Sequence, residues 1–322
     1  MTGIVNNCCF CKENDNTPLY STFDVFGNNY TINECHNCQA LFLAPPPDNE
    51  TLKKAYDTSY YGETEEKFSS PNIETVLDHF RKRRAKYASR FLTDNDKVLD
   101  IGCGNGRFLL HLLKYGKFQL YGTELESNSA ERAARIPEIN LKLGYLEKGS
   151  FEEESFDVIT MFHVFEHLTE PKETLEIIRK IIKKDGTLII SFPNISSLQS
   201  KLFKGKWLHL DPPRHLIFFK AKDFIRILES MGFELVRENY ISTEQNVYGM
   251  IQSILNKFFK KREILFEYLK GNTEYIKEFS SFNIFMQKLF FYFTFPFFAI
   301  ADVFISFLKK CATVEFTFRK ME

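Results

Sequence analysis

Residues 97–106, Lys-Val-Leu-Asp-Ile-Gly-Cys-Gly-Asn-Gly, constrain this chain more than any other stretch. An apolar run stops at Gly102, Gly104 and Gly106, and a helical pattern begins at Arg107. Glycine lets a backbone turn sharply and approach a ligand closely. The stretch therefore reads as a strand ending in a tight loop that opens a helix, which is where doubly wound sheets keep their ligand crevice. The alternation continues downstream. Residues 119–124, 155–161, 187–192 and 233–241 read as strands, and residues 107–115, 127–135, 171–184 and 221–231 as helices. Strands separated by helices of this length predict an α/β protein with a mostly parallel sheet covered on both faces. Residues 312–319 alternate like one more strand with no βα unit before them, so they are expected to lie beside 233–241. Residues 243–311 then form a helical insertion before the last strand.

The loop also narrows the ligand. A dinucleotide fingerprint needs a third glycine where Arg107 stands, and a P-loop needs a Gly-Lys-Ser/Thr ending that is absent. What remains is a glycine loop between two acids, Asp100 at the end of the first strand and Glu124 at the end of the next. Two carboxylates suit a ligand with an ammonium group, a sulfonium and a ribose diol but no phosphate. S-adenosylmethionine fits, with Asp100 toward the amino-acid end and Glu124 toward the ribose hydroxyls.

At the N-terminus, Cys8 and Cys11 form one C-x-x-C pair and Cys35 and Cys38 another, separated by a hairpin-sized segment. That spacing predicts a structural zinc site of four thiolates, which leaves no open coordination position for catalysis. Cys9 competes with Cys8 for the first knuckle, and His36 lies inside the second. The run Ala44-Pro45-Pro46-Pro47 marks a boundary. The expected organisation is a zinc ribbon over residues 1–45, a linker over 46–71, a cofactor-binding domain over 72–242, the insertion over 243–311 and the last strand over 312–322. The linker holds an aromatic loop, residues 56–62. The basic run Arg81-Lys82-Arg83-Arg84 reads as a solvated helix face.

The motifs VLDIGCGNGRFL, YGTELE, FDVITMFHVFEHL and KKDGTLIISFPN, in this order over residues 97–242, resemble a class I S-adenosylmethionine-dependent methyltransferase. The resemblance implies a Rossmann-like fold and cofactor contacts at Asp100, Gly102, Gly104, Glu124, Tyr145 and Leu146. The remainder resembles a bacterial subgroup with an N-terminal zinc ribbon and the signature HLDPPRHLIFF, residues 209–219. Members of that subgroup occur among enzymes of surface-polysaccharide, glycolipid and natural-product synthesis.

Methyl transfer needs an acceptor held in line and, for a hydroxyl, a base. His163 follows the strand at 155–161 and is the first candidate to face the acceptor, with Glu166 and His167 behind it. Related quinone O-methyltransferases carry an acid where His163 stands and hold a metal there. His163-Val-Phe-Glu166-His167 also matches a zinc-protease string, but that motif must lie within a helix and this one starts at a strand end. Asp211-Pro212-Pro213 is expected to hold Arg214 and His215 in a fixed loop, either over the cleft, with Arg214 pairing with an acidic acceptor and His215 standing as a second base, or as a buried structural loop with Arg214 in a salt bridge.

From residue 279 to 308, 12 of 30 residues are Phe or Tyr, and residues 289–308 carry one charge, Asp302. That is long enough for a membrane span. Pro296 and the return of the chain to the sheet argue against one. The insertion lies either in a membrane interface beside a lipid-linked substrate, with Lys257, Lys260, Lys261 and Arg262 toward anionic lipid and Phe291 and Phe298 in the bilayer, or against its own sheet or a second subunit in a homodimer. Lys plus Arg (42) equals Asp plus Glu (42), so nucleic acid is not an expected partner. No signal-peptide pattern opens the chain, and a cytoplasmic protein, peripheral to the inner membrane on the first reading, is expected. The partner is a small-molecule or lipid-linked acceptor, O-methylated in a surface-polysaccharide, glycolipid or natural-product pathway. The alternative is a non-catalytic protein of this fold that binds a partner through ribbon and insertion.

Overall fold

The computed structural model describes residues 6–56 and 71–321. The aromatic loop expected in the linker lies, from residue 57 onward, outside the described residues. The chain builds two sheets. The smaller begins with β1 (Asn16–Phe23), β2 (Asn29–Cys35) and β3 (Leu41–Ala44), followed by a short helix α1 (Asn49–Ala55) capped by the Asp48 carboxylate. After α2 (Pro71–Ala88) the larger sheet starts with β4 (Lys97–Ile101) and continues through α3 (Arg107–Leu112), β5 (Gln119–Glu124), α4 (Asn128–Ala134), β6 (Ile139–Leu143) and β7 (Phe156–Phe162). Next come α5 (Pro171–Ile181), β8 (Ile182–Pro193), α6 (Leu198–Phe203), β9 (Ile217–Phe218), α7 (Ala221–Ser230) and β10 (Phe233–Asn239). The insertion is α8 (Tyr248–Phe258), α9 (Ile264–Lys270), α10 (Thr273–Ile276) and α11 (Ser281–Phe307), and β11 (Thr313–Lys320) closes the chain.

The large sheet has seven strands in the order β10-β11-β8-β7-β4-β5-β6. The five from β8 to β6 run parallel, and β11 enters antiparallel between β8 and β10. This is the doubly wound α/β sheet expected from the alternation, with the helical insertion before the last strand. Two details differ. The helix expected to reach residue 184 stops at Ile181, because Ile182 already pairs with Phe156 and the Lys183 ammonium sits 2.7 Å from Asp157. Residues 183–186, with Asp185 at φ +62°, bulge out of β8 before pairing resumes at Thr187. The edge strand β6, Ile-Asn-Leu-Lys-Leu, is one more element, not among those expected.

Phenylalanine also serves the core. The Phe224 ring on α7 meets those of Phe165, Phe192, Phe219, Phe316 and Phe318 at 4.5–6.4 Å, so the abundance of Phe is not confined to the insertion. The small sheet is completed by β9, which pairs Phe218 with Leu41 and Ile217 with Phe42. A strand from the HLDPPRHLIFF signature thus joins the N-terminal sheet to the rest of the chain.

The long helix α11 packs along one side only. Phe291, Phe295 and Phe298 lie against Val247, Ile251, Leu255 and Leu265, and the buried Asp302 carboxylate accepts a hydrogen bond from Asn246. Its other side presents Phe282, Phe285, Tyr292, Phe293, Phe297, Ile300, Phe304 and Phe307 to solvent. Arg262 ties the insertion to the small sheet. Only 1% exposed, it donates to the Thr22 hydroxyl and to the carbonyls of Phe23 and Trp207, and pairs with Glu263. Arg262 is therefore not available to lipid as expected from the sequence, while the half-buried Lys261 donates to the Tyr275 carbonyl.

Candidate active site

The parallel register of β4 and β5 sets the site. Asp100 pairs with Gly122 and Ile101 with Thr123, so Asp100 and Glu124 emerge at the same end of adjacent strands. The chain then turns at Gly102 (φ +70°), where a Cβ would lie 2.4 Å from the Val164 side chain. Gly104 (φ +58°) faces open space, with no atom within 4 Å of the position a Cβ would take. Its N–H donates to the Glu124 carboxylate at 2.6 Å, and Leu125 N–H donates to the other oxygen at 3.0 Å. Asp100 is 4% exposed and accepts from the Thr160 hydroxyl at 2.6 Å. Burial pushes its carboxyl up to about 7.

These groups line a cleft of about 350 Å³. All six sequence-expected cofactor residues, Asp100, Gly102, Gly104, Glu124, Tyr145 and Leu146, border it. So does His163, which lies just past the end of β7 in a left-handed conformation (φ +56°). Its Nδ1 is 3.3 Å from Glu166. Burial, reinforced by the charge of Arg84, holds the imidazole down at about 4, while burial raises the Glu166 carboxyl to about 7. His163 is therefore uncharged at neutral pH.

Arg214 and His215 do not sit over this cleft. The loop that carries them runs beneath Glu166, whose carbonyl accepts from Leu216 N–H, and neither side chain borders the cleft. Arg214 is buried in a two-pronged pair with Asp211 and donates to the Ala55 carbonyl, pinning α1. His215 Nδ1 donates to the His209 carbonyl at 2.9 Å, and its Nε2 stays 4.0 Å from Glu166. The prolines fix this loop as expected, but as a seam under the site instead of a lid across it. Glu166, His167 and His215 bring one ligand atom each within 4.8 Å of one another. Nδ1 of His167 is already engaged by the Tyr56 hydroxyl and the Arg214 carbonyl.

Arg84 is the residue that sequence reasoning passed over. The run at 81–84 is not simply a solvated face, since Arg81 pairs with the buried Glu74 and Arg84 turns inward. The Arg84 guanidinium lies 4.9 Å from the Phe162 ring centroid and 2.9 Å from Glu244. It borders both the glycine-loop cleft and a second cavity next to it. Its place on α2 beside Ala85 and one turn before Ala88, both fully buried, is the only hint the sequence holds.

At the N-terminus the sulfurs of Cys8, Cys11, Cys35 and Cys38 lie within 4.8 Å of one another, with Cys8–Cys38 at 3.6 Å and Cys11–Cys35 at 3.4 Å. Four thiolates at about 2.3 Å from a zinc ion stand about 3.8 Å apart, so the donor set fits that metal. Cys9 points away, toward the Leu216 carbonyl, and His36 is bonded to Asp15 and Thr17 outside the cluster.

A model of the methyltransferase-domain family matches residues 72–238. A ubiquinone biosynthesis O-methyltransferase of Rickettsia bellii is 27% identical over 150 residues, covering 43% of this chain and 62% of that protein. A probable S-adenosylmethionine-dependent methyltransferase of Mycolicibacterium smegmatis is 27% identical over 139 residues, 43% of this chain and 52% of its own length. The chain thus spans between half and two thirds of these curated relatives. Among solved structures, a putative sarcosine dimethylglycine methyltransferase of Galdieria sulphuraria superposes with a TM-score of 0.51 at 14% identity, covering 83% of this chain and 97% of that one. At that identity the likeness is one of fold.

Proposed function

The chain belongs to the methyltransferase-domain family, and from that premise we propose that it transfers a methyl group from S-adenosylmethionine to a hydroxyl of a small or lipid-linked acceptor. The observation that carries this reading is the open space over Gly104 between two carboxylates, beside an uncharged imidazole. S-adenosylmethionine, when bound, supplies an electrophilic methyl on a sulfonium. Glu124, fixed by two backbone N–H groups, would accept from the ribose hydroxyls. Asp100 offers its carboxylate to the ammonium end, whose charge would favour the ionised form. Tyr145 and Leu146 wall the cleft.

His163 receives the acceptor's proton. With Nδ1 turned to Glu166, Nε2 is left for the acceptor, and the low pKa keeps that nitrogen unprotonated throughout the neutral range. Glu166 behind it stabilises the imidazolium as it forms. Arg214 and His215 act at one remove, by holding the loop on which Glu166 rests. The second cavity, which also reaches His163, favours turnover over a protein that only binds cofactor. The resemblance to the ribbon-bearing subgroup supports an acceptor from surface-polysaccharide, glycolipid or natural-product synthesis. The four-cysteine cluster holds one structural zinc, stabilising a segment whose own core is small.

The outward side of α11 docks on the cytoplasmic surface of an anionic bilayer without crossing it. An apolar stripe runs along this helix of 27 residues. Lys201 and Lys310 are exposed at its C-terminal end, where Leu198 N–H bonds the Lys310 carbonyl, and Lys257 and Lys260 are exposed on the same insertion. Apolar stripe and lysines together have the chemistry of an interfacial helix. Each buried Phe side chain contributes roughly 1.5–3 kcal/mol, so a few rings suffice. Phe291 and Phe298 are not part of this stripe, because both pack inward.

In calorimetry, Glu124→Ala should bind S-adenosylmethionine at least tenfold more weakly than the parent, while His163→Ala keeps its affinity within about twofold and loses about 10²-fold in turnover. An unchanged rate in His163→Ala would remove the base. Elemental analysis should give one zinc per chain, lost in Cys8→Ser and Cys35→Ser, and less than about half an equivalent in the parent would count against the metal. The parent should co-sediment with anionic liposomes, with high salt weakening but not abolishing binding. Phe293→Glu with Phe304→Glu, at positions 76% and 67% exposed, should release it. A parent that stays in the supernatant as a stable dimer would assign the stripe to a second copy instead.

A further inference from the structure

We propose that the second cavity binds a phosphate-bearing acceptor, a phosphate monoester or diphosphate whose methylated hydroxyl points to His163; this rests on the methyl-transfer reading above. The cavity, about 390 Å³, lies between α2 and the edge formed by β8, β11 and the end of β10. It meets the glycine-loop cleft at His163 and Arg84, which border both. A molecule filling it therefore has one end beside the cofactor and the other at the far wall.

Away from that junction the lining is cationic. Arg83, Lys86 and Arg90 line the cavity and form no ion pair among the described residues, Arg90 only resting near the Tyr87 ring at 5.8 Å. Arg84 at the junction and Arg237 also line the cavity, each balanced by one carboxylate, Glu244 at 2.9 Å and Glu315 at 3.4 Å. Among the described residues, five cations against two carboxylates leave three positive charges uncompensated in a chain whose total is zero. A single carboxylate would balance one of the three charges. A phosphate monoester carries about two and a terminal diphosphate more, and both present more acceptor oxygens to the guanidinium donors.

The test uses the full chain saturated with S-adenosylhomocysteine and titrated with inorganic pyrophosphate. Binding is expected, and Arg83→Glu with Lys86→Glu, both on the exposed side of α2, should weaken it at least tenfold while S-adenosylhomocysteine affinity stays constant. Uridine diphosphate and short-chain dioctanoyl phosphatidate distinguish the source: tighter binding of the first indicates a soluble carrier of the phosphate, and of the second a lipid. Pyrophosphate binding that the double variant leaves unchanged, or succinate binding as tightly, would overturn the proposal. So would binding of S-adenosylhomocysteine with none of the three phosphates. Failure to bind S-adenosylhomocysteine at all would instead overturn the methyl-transfer reading, and this inference with it.

Discussion

The hydrogen bond from Gly104 N–H to the Glu124 carboxylate, 2.6 Å across the ends of two parallel strands, is the contact on which the candidate site depends. It joins the glycine turn after β4 to the acid that ends β5, and it exists because the register sets Ile101 beside Thr123. The Thr123 carbonyl holds the turn from beneath through Gly102 N–H (2.8 Å) and Cys103 N–H (3.0 Å). With the loop so fixed, Gly102 packs on Val164 and carries the β7 end, including His163, against the same cleft. A slip of β5 by one residue would turn Glu124 to the other face of the sheet and dissolve the pair of carboxylates.

Around that centre the charges are arranged by burial more than by pairing. Asp100 and Glu166 sit in the core near the point where they ionise, and His163 is held uncharged. Arg84 is the exception that connects the two cavities, since it is anchored by Glu244 on one side and the Phe162 face on the other. Its helix carries Arg83 and Lys86, which form no ion pair among the described residues, toward the second cavity. The same helix thus supplies a wall to the cofactor cleft and a charged wall to the space beyond it.

Much of this was legible in the sequence. Val98 to Gly106 marked the strand, turn and helix, and the acids at 100 and 124 marked two strand ends that the structure brings to one cleft, because both stand where a buried apolar run stops. The four cysteines were legible because their spacing is short-range. What stayed hidden depends on contacts between distant segments. Asp211, three residues before Arg214, made a salt bridge within the loop readable, but nothing announces the Ala55 carbonyl, and a proline-rich loop looks the same whether it covers a cleft or lies under it. Arg84 looked solvated because its partners, Glu244 and Phe162, stand far along the chain. The alternating exposure along α11 needed α8 to define which side faces inward, so Phe291 and Phe293 could not be told apart by sequence.

The most direct measurement is a crystal structure of the full chain grown with S-adenosylhomocysteine. The account predicts density in the cleft over Gly104, with the ribose hydroxyls on the Glu124 carboxylate and the amino-acid end toward Asp100. Density at any other place on the protein, or a cleft that stays closed to the ligand at saturating concentration, would contradict it.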